Sequence, residues 1–173
     1  MSDFFEKVTN SQDMFKKLAG KIPGFGGYVE RQNRRAADKL LRETVARRFE
    51  ELHKRGSNLQ SDMVSNGMIA YVDDMEKAVI QIRTFIDKIS TAAYGMAGLF
   101  DAVKVNEAEL TQLYQFDAAF FDTADQASHA LDNVEASMAD ETALPAAIRN
   151  LTSLARQAVD TFNRRAEVIT GSK

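Results

Sequence analysis

Val45, Phe49, Leu52, Gly56, Leu59 and Met63 recur at alternating intervals of four and three residues. That alternation keeps one narrow stripe of a helix turned toward a neighbouring helix along its whole length. It returns at Met68, Val72, Met75, Val79, Ile82, Ile86, Ile89, Ala93, Met96 and Phe100, but out of phase with the first series. Continuing the first stripe would use Asn66, Ala70 and Asp73, so the chain has to turn in between. Ser65-Asn66-Gly67 is the expected turn, because Asn-Gly favours left-handed backbone. Gly56-Ser57-Asn58 is the alternative.

Two more stripes follow. Leu110, Leu113, Asp117, Phe120, Ala124, Ala127, Leu131, Val134 and Met138 form one. Leu144, Ile148, Leu151, Ala155, Ala158, Phe162 and Ile169 form the other, with Pro145 in the first turn, where its missing N–H does no harm. Only 9 Gly and 2 Pro occur in 173 residues, and no strand alternation competes. The fold expected is all-α: an elongated antiparallel four-helix bundle, up-down-up-down, with coiled-coil-like packing. Its helices are expected near 28–65, 68–102, 106–139 and 142–170. An additional short N-terminal amphipathic helix over 1–19 presents Phe4, Val8, Phe15 and Leu18 on one face, with Phe5 and Met14 at its edges. A Gly/Pro-rich link at 20–27 joins it to the bundle of 28–173, the whole reading as a single domain.

Charge is unevenly placed. Residues 1–56 carry 13 Lys and Arg against 8 Asp and Glu, a net of +5, and the remainder carries a net of −8. Residues 105–141 contain no Lys or Arg and 9 acids. The economical explanation is that the basic and acidic segments lie side by side. A net charge of −3 argues against nucleic acid. No apolar stretch approaches the roughly 20 residues of a membrane span, and the first residues lack the apolar core of a secretory signal. With no Cys as well, a cytoplasmic protein is expected, with peripheral attachment at a membrane left open.

Candidates for chemistry are few. Ferritin-like bundles hold two irons with a Glu-x-x-His pair on each of two helices and a Glu on each of the others. Glu50 and His53 make one such pair, but the second histidine, His129, is preceded three residues earlier by Gln126. Glu50, His53 and Asp117 are therefore only remote metal candidates. Asp117 stands out as the one acid on an apolar stripe, where a buried carboxylate has to be paired, protonated or hydrogen-bonded. An Arg or a hydroxyl across the bundle that fixes helix register, plain partial exposure, and a ligand or proton site are the readings open to it. Cysteine chemistry is absent, and no Ser sits in a glycine-flanked elbow. Neither an enzymatic activity nor a cofactor is expected.

Surface recognition is the remaining class. Gly24-Phe25-Gly26-Gly27-Tyr28 offers aromatic side chains on a pliant link as a docking knob. Arg31, Arg35, Lys39 and Arg42 form a basic stripe just beyond it. The expected function is a non-enzymatic scaffold or adaptor that binds proteins and self-associates as a homo-oligomer. The alternative is a peripheral bundle held on an anionic membrane surface by Phe4, Phe5 and Phe15 together with that stripe.

Overall fold

The computed structural model describes residues 16–26, 34–95 and 107–170. All regular structure among them is helical. A short helical stretch at 16–21 precedes α1 (Arg34–Ser65), α2 (Ile69–Gly95), α3 (Glu107–Ser137) and α4 (Leu144–Thr170). The four long helices contain 27 to 32 residues, which makes each about 40–48 Å long.

The turn between α1 and α2 falls where the two stripes lose phase. Gly67 has φ +74°, the amide of Met68 donates to the carbonyl of Met63 (2.8 Å), and that of Gly67 donates to Val64 (3.1 Å). This is a Schellman-type helix end, and only glycine takes its left-handed position without strain. Gly56 does not turn. It is buried inside α1, where an added Cβ would lie 3.2 Å from Cγ2 of Val79. The missing side chain lets α1 and α2 approach closely there.

The start of α4 lies two residues later than the spacing suggests. The Asp140 carboxylate accepts from both the amide and the hydroxyl of Thr142, so Thr142 is held in a local turn and the helix begins at Leu144.

Helix directions follow from cross-helix pairs. Phe49 meets Phe85 and Gly56 meets Val79, so α2 runs antiparallel to α1. Arg48 reaches Asp125 and Arg55 reaches Asp132 at the same offset, so α3 runs parallel to α1. The short turn after α3 and the Asp117–Arg165 pair make α4 antiparallel to α3. Direction therefore alternates along the chain, but adjacency does not follow chain order. The main interfaces are α1 with α2, α3 with α4 and α2 with α4, and the α1–α3 interface is narrower. Eleven residues separate α2 from α3, a tether long enough that the two need not be neighbours.

The core is the set of stripes, widened. Val45, Phe49, Leu52, Leu59, Met63, Met75, Val79, Ile82, Ile86 and Ile89 are buried, as are Phe120, Ala124, Ala127, Leu131, Val134, Leu144, Ile148, Leu151, Ala155, Ala158 and Phe162. Met68, Val72 and Met138 are partly buried against them. The side chains of Ala93, Leu110, Leu113 and Ile169, and residues Met96 and Phe100, lie outside the described residues. Phe85 and Phe121 stand off the stripes yet are also buried. Phe85 sits among Phe49, Phe120 and Phe162, with ring centroids 4.2, 5.2 and 6.5 Å away. It touches one ring from each of the other helices, because every helix here has two neighbours and buries a face wider than one seam.

Candidate functional site

The most distinctive surface is built where α1, α3 and the N-terminal segment meet. Leu18, Ile22 and Phe25 are fully buried in the common core. Leu18 and Ile22 lie one turn apart, the Ile22 amide donating to the Leu18 carbonyl (2.9 Å), and the turn at Pro23 and Gly24 returns Phe25 to the same core. Around that apolar contact runs a charged rim. Lys17 Nζ donates to Asp122 Oδ2 at 3.1 Å, and Lys21 Nζ donates to Asp125 Oδ2 at 3.2 Å while lying 3.8 Å from Asp122 Oδ1. Arg48 of α1 also pairs with Asp125. Lys21 additionally lies 5.7 Å from the centroid of the Phe121 ring, within cation–π range.

One helical level further on, Arg55 Nη2 meets Asp132 at 2.6 Å, and its Nη1 donates to the Ser128 hydroxyl at 3.1 Å. The basic first third of the chain and the acidic α3 therefore do lie side by side. Each exposed pair contributes only about 0.2–1 kcal/mol, against about 1.5–3 kcal/mol for each fully buried Leu, Ile or Phe. The three apolar anchors hold the segment, and the charges set where it sits.

A second constellation is wholly internal. Arg165 Nε donates to Asp117 Oδ1 at 2.6 Å and its Nη2 to Oδ2 at 3.4 Å, with both side chains about 3% exposed. Of the readings open to Asp117, the structure shows the one in which it is buried and paired with an arginine of a neighbouring helix. The partner was legible too: carrying the α4 series three residues beyond Phe162 lands on Arg165.

Several expected surface residues are placed differently. Phe25 is buried under the segment and is not an exposed knob. Arg42 is buried as well, because extending the α1 stripe three residues before Val45 lands on it. Lys39 is exposed and pairs with Glu43 at 3.8 Å, so Lys39 and Arg42 do not share one solvated basic face. The Arg35 side chain lies outside the described residues, as do Phe4, Phe5, Phe15, Tyr28 and Arg31.

The remote metal candidates do not converge. Glu50 is exposed and His53 half-buried on α1, whereas Asp117 is level with Leu40 of α1, roughly 15–20 Å further along the bundle. Among the described residues no group of three or more His, Asp or Glu is placed to hold a metal ion.

Among the described residues the exposed large apolar side chains are Val64, Ile69 and Ile80. Val64 and Ile69 flank the α1–α2 turn, in a stretch (57–72) whose only charge is Asp62. No described helix is long and apolar enough to cross a membrane. No protein-family model matches the chain, and neither a curated protein nor a solved structure matches it.

Proposed function

We propose that this chain is an elongated four-helix bundle with its N-terminal helix as a fifth element, and that it works as a non-enzymatic scaffold or adaptor through its helical surfaces, self-association included. The observation that carries this reading is the tip of the α1–α2 hairpin. Val64 and Ile69 are 51% and 61% exposed there, in a nearly uncharged stretch. Exposed large apolar side chains with few charges around them are a surface that another protein covers readily. Among the described residues, Lys17, Lys21, Arg48 and Arg55 are taken up by pairs with α3 within the chain, whereas the exposed tip side chains are not among the core contacts.

The membrane alternative draws no support from the described part of its anchor. Leu18 faces the core and Arg42 is buried, so neither is presented to lipid, while Phe4, Phe5 and Phe15 lie outside the described residues.

Sedimentation velocity over a wide concentration range tests the reading. The expected result is a concentration-dependent shift to larger species that disappears in the Val64→Asp, Ile69→Asp double variant, with helical circular dichroism unchanged. A wild-type chain that remains monomeric throughout would remove self-association. A shift that persists in the variant would move the contact away from the tip.

A further inference from the structure

The turn that joins α1 to α2 holds the one asparagine of the chain that is followed by glycine, Asn66-Gly67. The side-chain amide carbon of an asparagine is an electrophile within reach of the next backbone nitrogen, and the two can close a five-membered ring. A side chain on that next residue crowds the ring, and glycine has none. Asn58, Asn133, Asn150 and Asn163 are exposed, as Asn66 is, so access to water does not separate them. Those four lie inside helices, ahead of Leu59, Val134, Leu151 and Arg164, where the helix ladder fixes the next amide. Asn66 and Gly67 instead follow the last helical residue, Ser65. A Cβ built on Gly67 would meet nothing within 4 Å, so no neighbouring atom screens the turn.

The folded turn holds the two reacting groups apart. Nδ2 of Asn66 donates to the Asp62 carbonyl at 2.8 Å, and the same carbonyl accepts from the Asn66 backbone amide at 2.9 Å. The side chain is therefore folded back along α1. The Gly67 amide donates to the Val64 carbonyl at 3.1 Å. The side-chain bond and the Gly67 bond both have to open before the Gly67 nitrogen can reach Cγ of Asn66. Helix ends open locally more often than helix interiors do.

We infer that Asn66 is a site of spontaneous deamidation guarded by this turn, and that the carboxylate it leaves switches off the hairpin tip. The Gly67 nitrogen gives up its proton and bonds to Cγ of Asn66. The Cγ–Nδ2 bond breaks, and the amide group takes up a proton and departs as ammonia. Water then opens the cyclic imide at either carbonyl and gives aspartate or isoaspartate. One water is consumed for each ammonia released, and nothing is oxidised or reduced. The deamidation stands by itself, whereas the switch rests on the reading of the tip as a contact surface. The new charge lies between Val64 and Ile69, in the stretch whose only other charge is Asp62, one helical turn earlier. Like charges one turn apart repel, and a carboxylate is unfavourable at the carbonyl end of a helix. It also cannot donate to the Asp62 carbonyl as the amide does. Any partner covering the tip would have to strip it of water.

The test incubates the full chain in mildly alkaline buffer, with released ammonia assayed and the tryptic fragment 56–77 sequenced by mass spectrometry to separate Asn58 from Asn66. The expected result is conversion at position 66 to aspartate and isoaspartate, matched by ammonia, with Asn58, Asn133, Asn150 and Asn163 unchanged. No conversion at 66, or conversion no faster than at those four, would overturn the site. In guanidinium chloride the conversion should run about tenfold faster or more, the factor that releasing two hydrogen bonds gives. Equal rates would show that the turn does not guard it. Gly67→Ala should slow conversion even though it loosens the turn, and an unchanged or faster rate would overturn attack by the residue-67 nitrogen. Asn66→Asp reads the switch in sedimentation velocity. Self-association should weaken about tenfold or more, and association as strong as wild type would overturn the switch. A wild-type chain that stays monomeric would overturn the tip contact and the switch together, while the mass spectra still decide the deamidation.

Discussion

Removing one half of the Asp117–Arg165 pair tests the internal polar layer most directly. Both side chains are about 3% exposed, and the two contacts, 2.6 and 3.4 Å, come from separate guanidinium nitrogens. Asp117→Ala deletes the carboxylate and leaves a guanidinium in a place water does not reach. Breaking a buried pair in this way costs about 3–5 kcal/mol, mostly from the stranded charge. Replacing both partners with apolar residues of similar size, Asp117→Leu with Arg165→Met, removes the two charges together and should come out near neutral. Urea unfolding followed by circular dichroism reads the difference. With an m-value of about 2 kcal/mol per molar, the single variant should lose about 1.5–2.5 M in midpoint while the double variant stays near wild type. A single variant that loses less than about 1 kcal/mol would show that the pair is not desolvated as the geometry implies. A double variant as unstable as the two singles combined would show that the residues act independently and do not form one unit.

Two further outcomes are expected. Gly67→Ala forces a side chain into left-handed backbone at the α1 terminus and should cost about 1–2 kcal/mol in the same unfolding assay, whereas no loss would contradict the helix-end geometry. The Thr142 hydroxyl and amide hydrogen-bonded to Asp140 hold its carboxyl below the usual carboxylate range. Its contribution to stability is therefore fully present above the unfolded value of about 3.9 and is lost as pH falls through the depressed folded value. Urea midpoints measured between pH 2 and 6 should fall less steeply at the acid end in Asp140→Asn than in wild type, and identical slopes would remove that role for Asp140.

Much of the helical layout was legible residue by residue. The loss of phase after Met63 placed the first turn at Ser65-Asn66-Gly67, and the left-handed Gly67 is found there. Gly56, the rival turn, was already a member of the α1 stripe, and it is buried as a stripe residue. Asp117 announced itself by interrupting an apolar series. Arg42 and Arg165 carry the same signal, since each continues its stripe by three residues, but its charge places Arg42 in the basic surface stripe on a sequence reading, and Arg165 is not singled out there at all.

What could be read from the sequence alone follows from local repetition. A helix returns every 3.6 residues whatever surrounds it, so spacing decides which side chains share a face, and phase breaks with Asn-Gly decide where the chain reverses. Tertiary structure alone decided which faces meet. The pairing of α2 with α4, the second buried face that carries Phe85 and Phe121, and the docking of Leu18, Ile22 and Phe25 into the common core depend on contacts between residues far apart in sequence. Those contacts are chosen by the packing of several helices at once. A period within one helix contains no information about its second neighbour, and so the burial of Leu18, Ile22 and Phe25 in the common core became visible only in three dimensions.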